Sequence, residues 1–159
     1  MIRPFRAEDA GAVAALTLAA IRSLGARAYS PVQVAAWAAR HQGPEPFLAR
    51  AAKGDSILVA VDAQDLPLAY VLTEADGHVD MLYCHPDHSG NGVAGLLLRI
   101  AEAEARDTGS TCLYTEASEL ARPVFARAGY RLLGRRDFTI PHEGRAIAIH
   151  NYAMEKRFA

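Results

Sequence analysis

Residues 78–106 read HVDMLYCHPDHSGNGVAGLLLRIAEAEAR, and this stretch decides the fold. It begins with a short apolar run, 79–84, which is rich in strand-forming residues and is interrupted only by Asp80. A polar corner, 86–92, follows, and then comes an Ala- and Leu-rich run whose apolar residues recur at helical spacing. The pattern therefore predicts a strand, a glycine corner and a long helix in direct succession.

The glycine corner predicts a binding site for a phosphate or pyrophosphate group. Gly90 and Gly92 can adopt positive φ angles and let a ligand oxygen approach the main chain closely. Several N–H groups and the positive end of the helix dipole would then point at one place. The corner lacks the Gly-Lys-Ser/Thr of a P-loop. Gly90, Gly92 and Gly95 fit GxGxxG, but they lie past mid-chain, with too little sequence after them for a dinucleotide-binding fold.

Length and composition limit the number of domains, the kinds of partner and the cellular compartment that we expect. The 159 residues are 51% hydrophobic and carry a formal net charge of −1, which predicts one globular domain over 1–159 and no nucleic-acid partner. We expect no membrane association, because no apolar run nears the ~20 residues of a membrane span. The N-terminus has no apolar signal-peptide core. Cys84 and Cys112 lie in apolar runs and are expected to be reduced thiols of a cytoplasmic protein.

Periodicity elsewhere predicts the order β-α-α-β-β-β-α-β-α-β-β. This is an α/β (α+β) fold with a central mixed sheet of about seven strands and about four flanking helices. The expected strands are 2–5, 56–61, 68–73, 79–84, 111–116, 130–136 and 147–154. The expected helices are 8–24, 30–40, 93–105 and 118–128, with a further short helix at 46–53. Ser30 and Gln33 around Pro31 form the clearest helix start, a capping box with proline at the first helical position.

Two segments resemble a known superfamily. Residues 89–94, SGNGVA, follow a strand that ends in Cys84-His85-Pro86, and they resemble motif A of the GNAT superfamily of acetyl-CoA-dependent N-acetyltransferases, Gln/Arg-x-x-Gly-x-Gly/Ala, with Ser89 at the first position. Residues 118–130, SELARPVFARAGY, resemble motif B of that superfamily. The segments VDMLYCHP, TEAS and ARPVF together resemble its YafP-like branch.

The resemblance implies the GNAT fold and acetyl-CoA as the acyl donor, with no metal ion. It implies acetyl transfer to a primary amine by direct attack in a ternary complex, and we expect a small-molecule acceptor. A protein or peptide N-acetyltransferase is one alternative. A catalytically silent acyl-CoA-binding module is another, because the motif B position that usually holds a tyrosine acid is Phe125. A homodimer is left open.

By the same resemblance, three groups of residues would hold the cofactor. Pantetheine and the thioester carbonyl are assigned to Leu82, Tyr83 and Cys84; the pyrophosphate to Ser89, Gly90, Asn91, Gly92, Val93 and Ala94; and motif B adds Ser118 and Phe125. Phenylalanine cannot donate a proton. Either the hydroxyl of Ser118 or Tyr83 serves as the acid, or the thiolate leaves unaided, since a free thiol has a pKa of ~8.5.

The general base stays open among three residues. By the resemblance, a glutamate on this strand often takes the amine proton, and ungapped counting from the motif places His78 at that position, with Asp80 one pleat nearer the carbonyl. Strand alternation would put His78, Asp80, Leu82 and Cys84 on one face, and Asp80 interrupts an apolar run where a carboxylate is costly without a role or partner. Glu116 on the adjoining strand is the third candidate. For Asp80 and for Glu116 the alternative is a structural role as a hydrogen-bond acceptor. His78 lies beside a turn and is expected to be solvated.

Acceptor contacts are expected from the second helix and from the late strands. Tyr29 and Trp37 would wall an acceptor pocket, although core packing is the simpler reading of Trp37 alone, and Asp80 is a further candidate for contact with the acceptor. Asp80, His85, Asp87 and His88 are metal-ligand types within nine residues. Alternation places His85 opposite Asp80, so we expect no metal site there.

Overall fold

The computed structural model describes residues 1–158, and in that part of the chain it contains seven strands and five α-helices. The strands are β1 (Ile2–Pro4), β2 (Ser56–Val61), β3 (Pro67–Thr73), β4 (Val79–Cys84), β5 (Cys112–Ala117), β6 (Arg131–His142) and β7 (Arg145–Arg157). The helices are α1 (Ala10–Leu24), α2 (Pro31–Ala39), α3 (Glu45–Lys53), α4 (Val93–Asp107) and α5 (Arg122–Arg127). The predicted α/β class is confirmed, and the short helix at 46–53 makes five helices rather than about four.

The strands form two antiparallel sheets that meet at one place. The order is β1-β2-β3-β4 in one sheet and β5-β7-β6 in the other. Between β4 and β5 there is a single parallel bridge, His78 to Tyr114, and just beyond it the Thr115 hydroxyl donates to the Val79 carbonyl at 2.8 Å. In residues 1–158 no further bridge pairs the two strands, because β4 otherwise pairs with β3 and β5 with β7. The expected mixed sheet is therefore split in two. A wedge-shaped gap, called the wedge below, opens between β4 and β5 toward their C-terminal ends.

A bulge at Asp80 alters the predicted faces of β4. Leu72 pairs with Met81 but the next residue, Thr73, pairs with Val79, so Asp80 is the extra residue. Val79 consequently packs in the same apolar cluster as Leu82 and Cys84. The prediction of one shared face for residues 78, 80, 82 and 84 is wrong, because a bulge shifts the alternation by one residue.

The core lies on both faces of the first sheet. One cluster joins the sheet to α4, α5 and the strands β5 and β7, and a second joins it to α1 and α3. Against expectation, one helical stretch, Ala7–Arg27, has the length and mean hydropathy (21 residues, 1.2) of a membrane span. Half of it is buried within the protein, with Val13, Leu16 and Ile21 at most 2% exposed, which is the pattern of a core helix.

The last two strands are longer than predicted. Glu143 and Gly144 have φ angles of 50° and 73°, as a two-residue hairpin turn of this twist requires. They let β6 and β7 pair out to His142 and Arg145. Pro141 is tolerated because β6 is an edge strand, where a missing N–H faces away from the ladder.

Helix α5 starts four residues later than predicted. The Ala121 N–H donates to Ser118 Oγ at 3.1 Å, so residues 118–121 form a turn rather than the first turn of the helix. Pro123 then occupies the first helical turn, where its missing N–H costs nothing. The capping box that starts α2 is present as predicted, with mutual hydrogen bonds between Ser30 and Gln33.

Candidate active site

The glycine corner has the geometry that its sequence predicted. Gly90 and Gly92 have φ angles of 82° and 85°, and a Cβ atom placed on either would meet nothing within 4 Å. The Val93 N–H reaches Asn91 Oδ1 at 3.4 Å, while the Ser89 hydroxyl donates to the Pro86 carbonyl at 3.0 Å. Within residues 1–158 the other loop N–H groups have no acceptor. These are the N–H groups of Gly90, Asn91, Gly92 and Ala94.

These N–H groups stand at the N-terminus of the fifteen-residue helix α4. The helix dipole adds positive potential at that end. The corner therefore provides free donors, open space and a favourable field for an anion, all from backbone atoms.

The free edge of β4 faces the wedge. The His85 N–H donates to the Leu68 carbonyl, so alternate residues along β4 direct their main-chain groups toward β3. The N–H groups of Leu82 and Cys84 must then point the other way, into the gap beside β5. Main-chain donors thus continue from β4 toward the glycine corner. The thiol of Cys84 is half-buried, and burial raises its pKa, so it stays protonated at neutral pH.

A cavity of about 530 Å³ lies between the two sheets and is capped by the end of α2. Its walls combine aromatic side chains with a few polar and charged groups. The lining residues used below are Tyr29, Trp37, His41, Asp80, Leu82, Tyr83, Glu116, Ser118, Phe125 and His150. It meets the wedge at Leu82, so one strand borders both spaces.

Asp80 is not a free carboxylate. Arg50 of α3 donates through Nη1 to Asp80 Oδ2 at 2.8 Å and also contacts Asp55 and Glu74. The metal-ligand group suggested by the sequence does not form around Asp80. Asp80 instead lies near Glu74 and His78. One possible ligand atom from each of these three residues lies within 4.8 Å of the other two. A cation at that point would have to displace the guanidinium group.

Glu116 is also engaged. His78 hydrogen-bonds through Nε2 to Glu116 at 2.8 Å and through Nδ1 to Glu74 at 2.6 Å, and its ring stacks on Tyr114 at 4.9 Å. The expectation that His78 is solvated is wrong, because its side chain is only 16% exposed. Burial lowers the pKa of His78, but the two carboxylates outweigh burial and raise that pKa above its usual value.

The motif B residues have structural partners. Ser118 uses its hydroxyl to accept the Ala121 N–H, and it lines the cavity. Phe125 is 2% exposed and packs edge-on against Tyr130 at 4.9 Å between ring centroids. Its ring closes one wall of the cavity and belongs to the core at the same time.

Tyr29 and Trp37 lie together in the wall of the cavity. Their rings meet edge-on at 5.6 Å, and Trp37 also contacts the ring of Tyr83 at 6.3 Å. The Tyr29 hydroxyl donates to the His150 carbonyl at 3.0 Å and accepts the Glu119 N–H at 2.9 Å. Tyr29 thereby ties the segment before α2 to β7 of the second sheet. Tyr83 points its ring into this cavity, and burial raises the pKa of its hydroxyl.

Comparison with known proteins agrees with this geometry. Residues 25–140 match the family model described as an acetyltransferase (GNAT) domain. The chain belongs to the GNAT acetyltransferase family. A curated GNAT-type relative, the uncharacterized N-acetyltransferase YafP of Escherichia coli (strain K12), is 27% identical over 131 residues, which cover 82% of this chain and 80% of the relative. The resemblance to the YafP-like branch is thus confirmed.

Solved GNAT structures share the whole fold. A GCN5-related N-acetyltransferase from Rhodopseudomonas palustris is 34% identical, with a TM-score of 0.86 over 99% of this chain and 95% of that one. The PaiA N-acetyltransferase from Thermoplasma acidophilum, solved in complex with coenzyme A, is 15% identical, with a TM-score of 0.79 over 99% and 98% of the two chains. That second likeness supports the fold alone.

Sequence reasoning missed His41. It follows α2, its N–H donates to the Ala38 carbonyl at 3.0 Å, and its ring lies edge-on to Tyr83 at 5.9 Å in the cavity wall. The residue lies outside both GNAT motifs and has no periodic neighbour that marks it. Only its placement on the segment after Trp37, a predicted pocket residue, could have drawn attention to it.

Proposed function

We propose that this GNAT protein is an acetyl-CoA-dependent N-acetyltransferase that moves an acetyl group to a primary amine of a small molecule, by direct transfer in a ternary complex. The observation that carries the proposal is the wedge between β4 and β5. One side of it offers free main-chain donors from Leu82 to the start of α4, and the other opens into the cavity. A two-substrate reaction needs two such spaces that share one wall.

The donor would lie along the wedge. The free N–H groups at Gly90, Asn91 and Gly92, with the dipole of α4, suit a pyrophosphate, and the strand edge suits the amide groups of pantetheine. The Leu82 N–H would then donate to the thioester carbonyl. A fixed donor at that oxygen stabilises the negative charge that develops as the carbonyl is attacked.

The acceptor would occupy the cavity. Its volume of about 530 Å³ lies in the range of about 300–1,000 Å³ that small-molecule sites have. Aromatic rings, among them Trp37 and Tyr83, form its walls, and polar groups stand at a few points. Such a site suits an amine with an apolar or aromatic body better than an extended peptide, which needs a long open groove.

In the proposed reaction the amine nitrogen forms a bond to the thioester carbonyl carbon, the C–S bond breaks, and the nitrogen loses a proton to a base. The thiolate leaves and takes a proton from solvent, so the products are an amide and the free thiol. Phe125 supplies no acid, and none is essential, because a thiol with a pKa of ~8.5 is a good leaving group. No step calls for a metal ion, and we expect the reaction to take place in the cytoplasm.

A thiol-release assay over a panel of primary amines tests the proposal, with short peptides carrying a free N-terminus or a lysine as a second panel. We expect release that depends on acetyl-CoA and on a small amine, and mass spectrometry should find the acetylated amine. Turnover confined to peptides would favour the protein-acetylating alternative. A protein that is stabilised by acetyl-CoA but releases no thiol with either panel would be a silent acyl-CoA-binding module.

A further inference from the structure

We propose that the imidazole of His41 is the general base that accepts the proton lost by the attacking amine, an inference that rests on the proposed acetyl transfer. His41 lies in the cavity wall after α2, in ring contact with Tyr83 of β4. β4 is also the strand that would place the thioester carbonyl. A base in contact with this strand would lie beside the path of the amine to that carbonyl.

The first argument is that His41 is free. Its ring nitrogens form no hydrogen bond or ion pair with any described residue, although the ring is half-buried in the cavity. A proton acceptor must have an available lone pair within about 3 Å of the proton it takes, directly or through one water. A half-buried imidazole without a protein partner, in a cavity wall, has that lone pair available to a ligand.

The second argument is that the two carboxylates of the cavity are engaged. Asp80 accepts from Arg50 at 2.8 Å, and a guanidinium is a permanently charged partner that holds a carboxylate in its ionised form. Glu116 is held by His78 at 2.8 Å. Taking a proton on either carboxylate would weaken an existing ion pair in a partly desolvated place.

The remaining titratable groups of the cavity are less suited. His150 is bonded to Glu119 through Nε2 at 2.5 Å, so only its Nδ1 lacks a partner among the described residues. Burial raises the pKa of Tyr29 and of Tyr83, so both hydroxyls keep their protons at neutral pH. The arginines that line the cavity are always protonated. Among the described residues, His41 is the cavity imidazole whose two ring nitrogens both lack a partner.

The charge state of His41 agrees with this role. Burial lowers its pKa, the neighbouring Arg40 lowers it further, and Asp80 opposes them with a smaller effect. Tyr83, the other titratable group in ring contact with it, keeps its proton and is uncharged. His41 is therefore neutral at pH 7 before the amine arrives, with a lone pair on one ring nitrogen. After accepting the amine proton it becomes an imidazolium, whose proton passes to solvent as the amide leaves.

The test compares His41→Gln with wild type, using the most active amine of the panel and acetyl-CoA. We expect kcat to fall by about 10²–10⁴-fold, the usual range for lost general-base assistance, while the stabilisation by acetyl-CoA is unchanged. His142→Gln is the matched control. His142 lies at the tip of the β6–β7 hairpin, outside the cavity, so its variant should keep wild-type turnover.

A second variant, His41→Ala, separates a base from a structural residue. Added imidazole should restore part of its activity, and the restored rate should rise with the neutral imidazole fraction. A His41→Gln enzyme with turnover within threefold of wild type would overturn the inference. If neither variant folds, NMR titration of wild-type His41 decides. A pKa below about 6.5 that responds to the acceptor amine would support the role, and a pKa above that value would contradict it. If wild type releases no thiol with any amine, the proposed function fails, not this assignment alone.

Discussion

The glycine corner before α4 and the cavity beneath α2 differ in what they are made of. The corner is built from main-chain N–H groups of consecutive residues, 89–94, and depends on two positive φ angles. The cavity is built from side chains of α2 and its flanking segments, β4, β5, α5, β6 and β7, which are brought together from positions as far apart as Tyr29 and His150. The region proposed to bind the acyl donor is thus local in the sequence, and the region proposed to bind the acceptor exists only after folding.

The difference predicts which changes will separate the two regions. A substitution that alters the backbone of the corner should affect acetyl-CoA alone. A substitution in the cavity should alter the amine requirement and leave acetyl-CoA binding as it was.

The largest effect is expected for Gly92→Val. Valine resists φ of 85° and places a branched side chain where the phosphate would approach, so the rise in Tm caused by acetyl-CoA should disappear. Gly109→Val is the matched control, because Gly109 has φ of 87°, equally open surroundings and a position at the other end of the same helix. Both variants should lose about 1–2 kcal/mol of stability from the strained backbone. A Gly92→Val protein that still gains as much Tm as the control would place the cofactor elsewhere.

The next effect concerns Tyr29→Phe, which acts on the cavity. The lost hydroxyl leaves the Glu119 N–H without its acceptor, and one such buried loss costs about 1–3 kcal/mol. We expect a lower Tm and a raised KM for the amine, since the tie between the segment before α2 and β7 is broken. The KM for acetyl-CoA should stay within about twofold of wild type. Equal rises in both KM values would show that the two regions are not separable.

A smaller effect is expected in the pH dependence of stability. The pKa of His78 is raised in the folded protein, so its contacts with Glu74 and Glu116 stabilise fully below the unfolded pKa of about 6.5. That contribution is lost as pH rises through the folded pKa. The Tm of the wild type should therefore fall relative to that of His78→Gln as the pH rises above about 6.5, by about 2–4 °C for each kcal/mol that the contacts contribute. If the Tm of the two proteins changed with pH in parallel, the contacts of His78 would make no pH-dependent contribution to stability.

The smallest effect is expected for Asp80→Asn. Arg50 keeps Asp55 and Glu74 as partners, so we expect a change in stability of less than about 1 kcal/mol and a change in kcat of less than tenfold. Glu116→Gln serves as the comparison on the adjoining strand. A fall of 10²–10⁴-fold in the Asp80→Asn enzyme, with folding intact, would make Asp80 the general base and contradict the role inferred for His41.

The same contrast explains what could be predicted from the sequence. The corner was predictable because strand, glycines and helix are adjacent, and the positive φ angles of Gly90 and Gly92 follow from residue type alone. The face of Asp80 was mispredicted because a bulge depends on the pairing of β4 with β3, which alternation cannot show. The strand predicted at 130–136 was too short, because a strand can continue through Pro141 only at the edge of a sheet, and local pattern does not show which strand is the edge.

Partners of charged residues were equally beyond local pattern. The contact between Arg50 and Asp80 spans 30 residues, and that between His78 and Glu116 spans 38. Whether a carboxylate is free or engaged depends on such pairs. For the same reason the neutral His41 could be recognised only once the partners of its neighbours were known.

The central claim is that main-chain donors from β4 to α4 hold acetyl-CoA. Titration of ¹⁵N-labelled protein with acetyl-CoA, followed by amide NMR, tests it most directly. We predict the largest shifts at the amides of Leu82, Gly90, Asn91 and Gly92, and small shifts at Gly109 and Gly144, which lie at remote turns with positive φ angles. Saturable shifts that leave Leu82 and the glycine corner unmoved, and that gather elsewhere in the fold, would contradict the account.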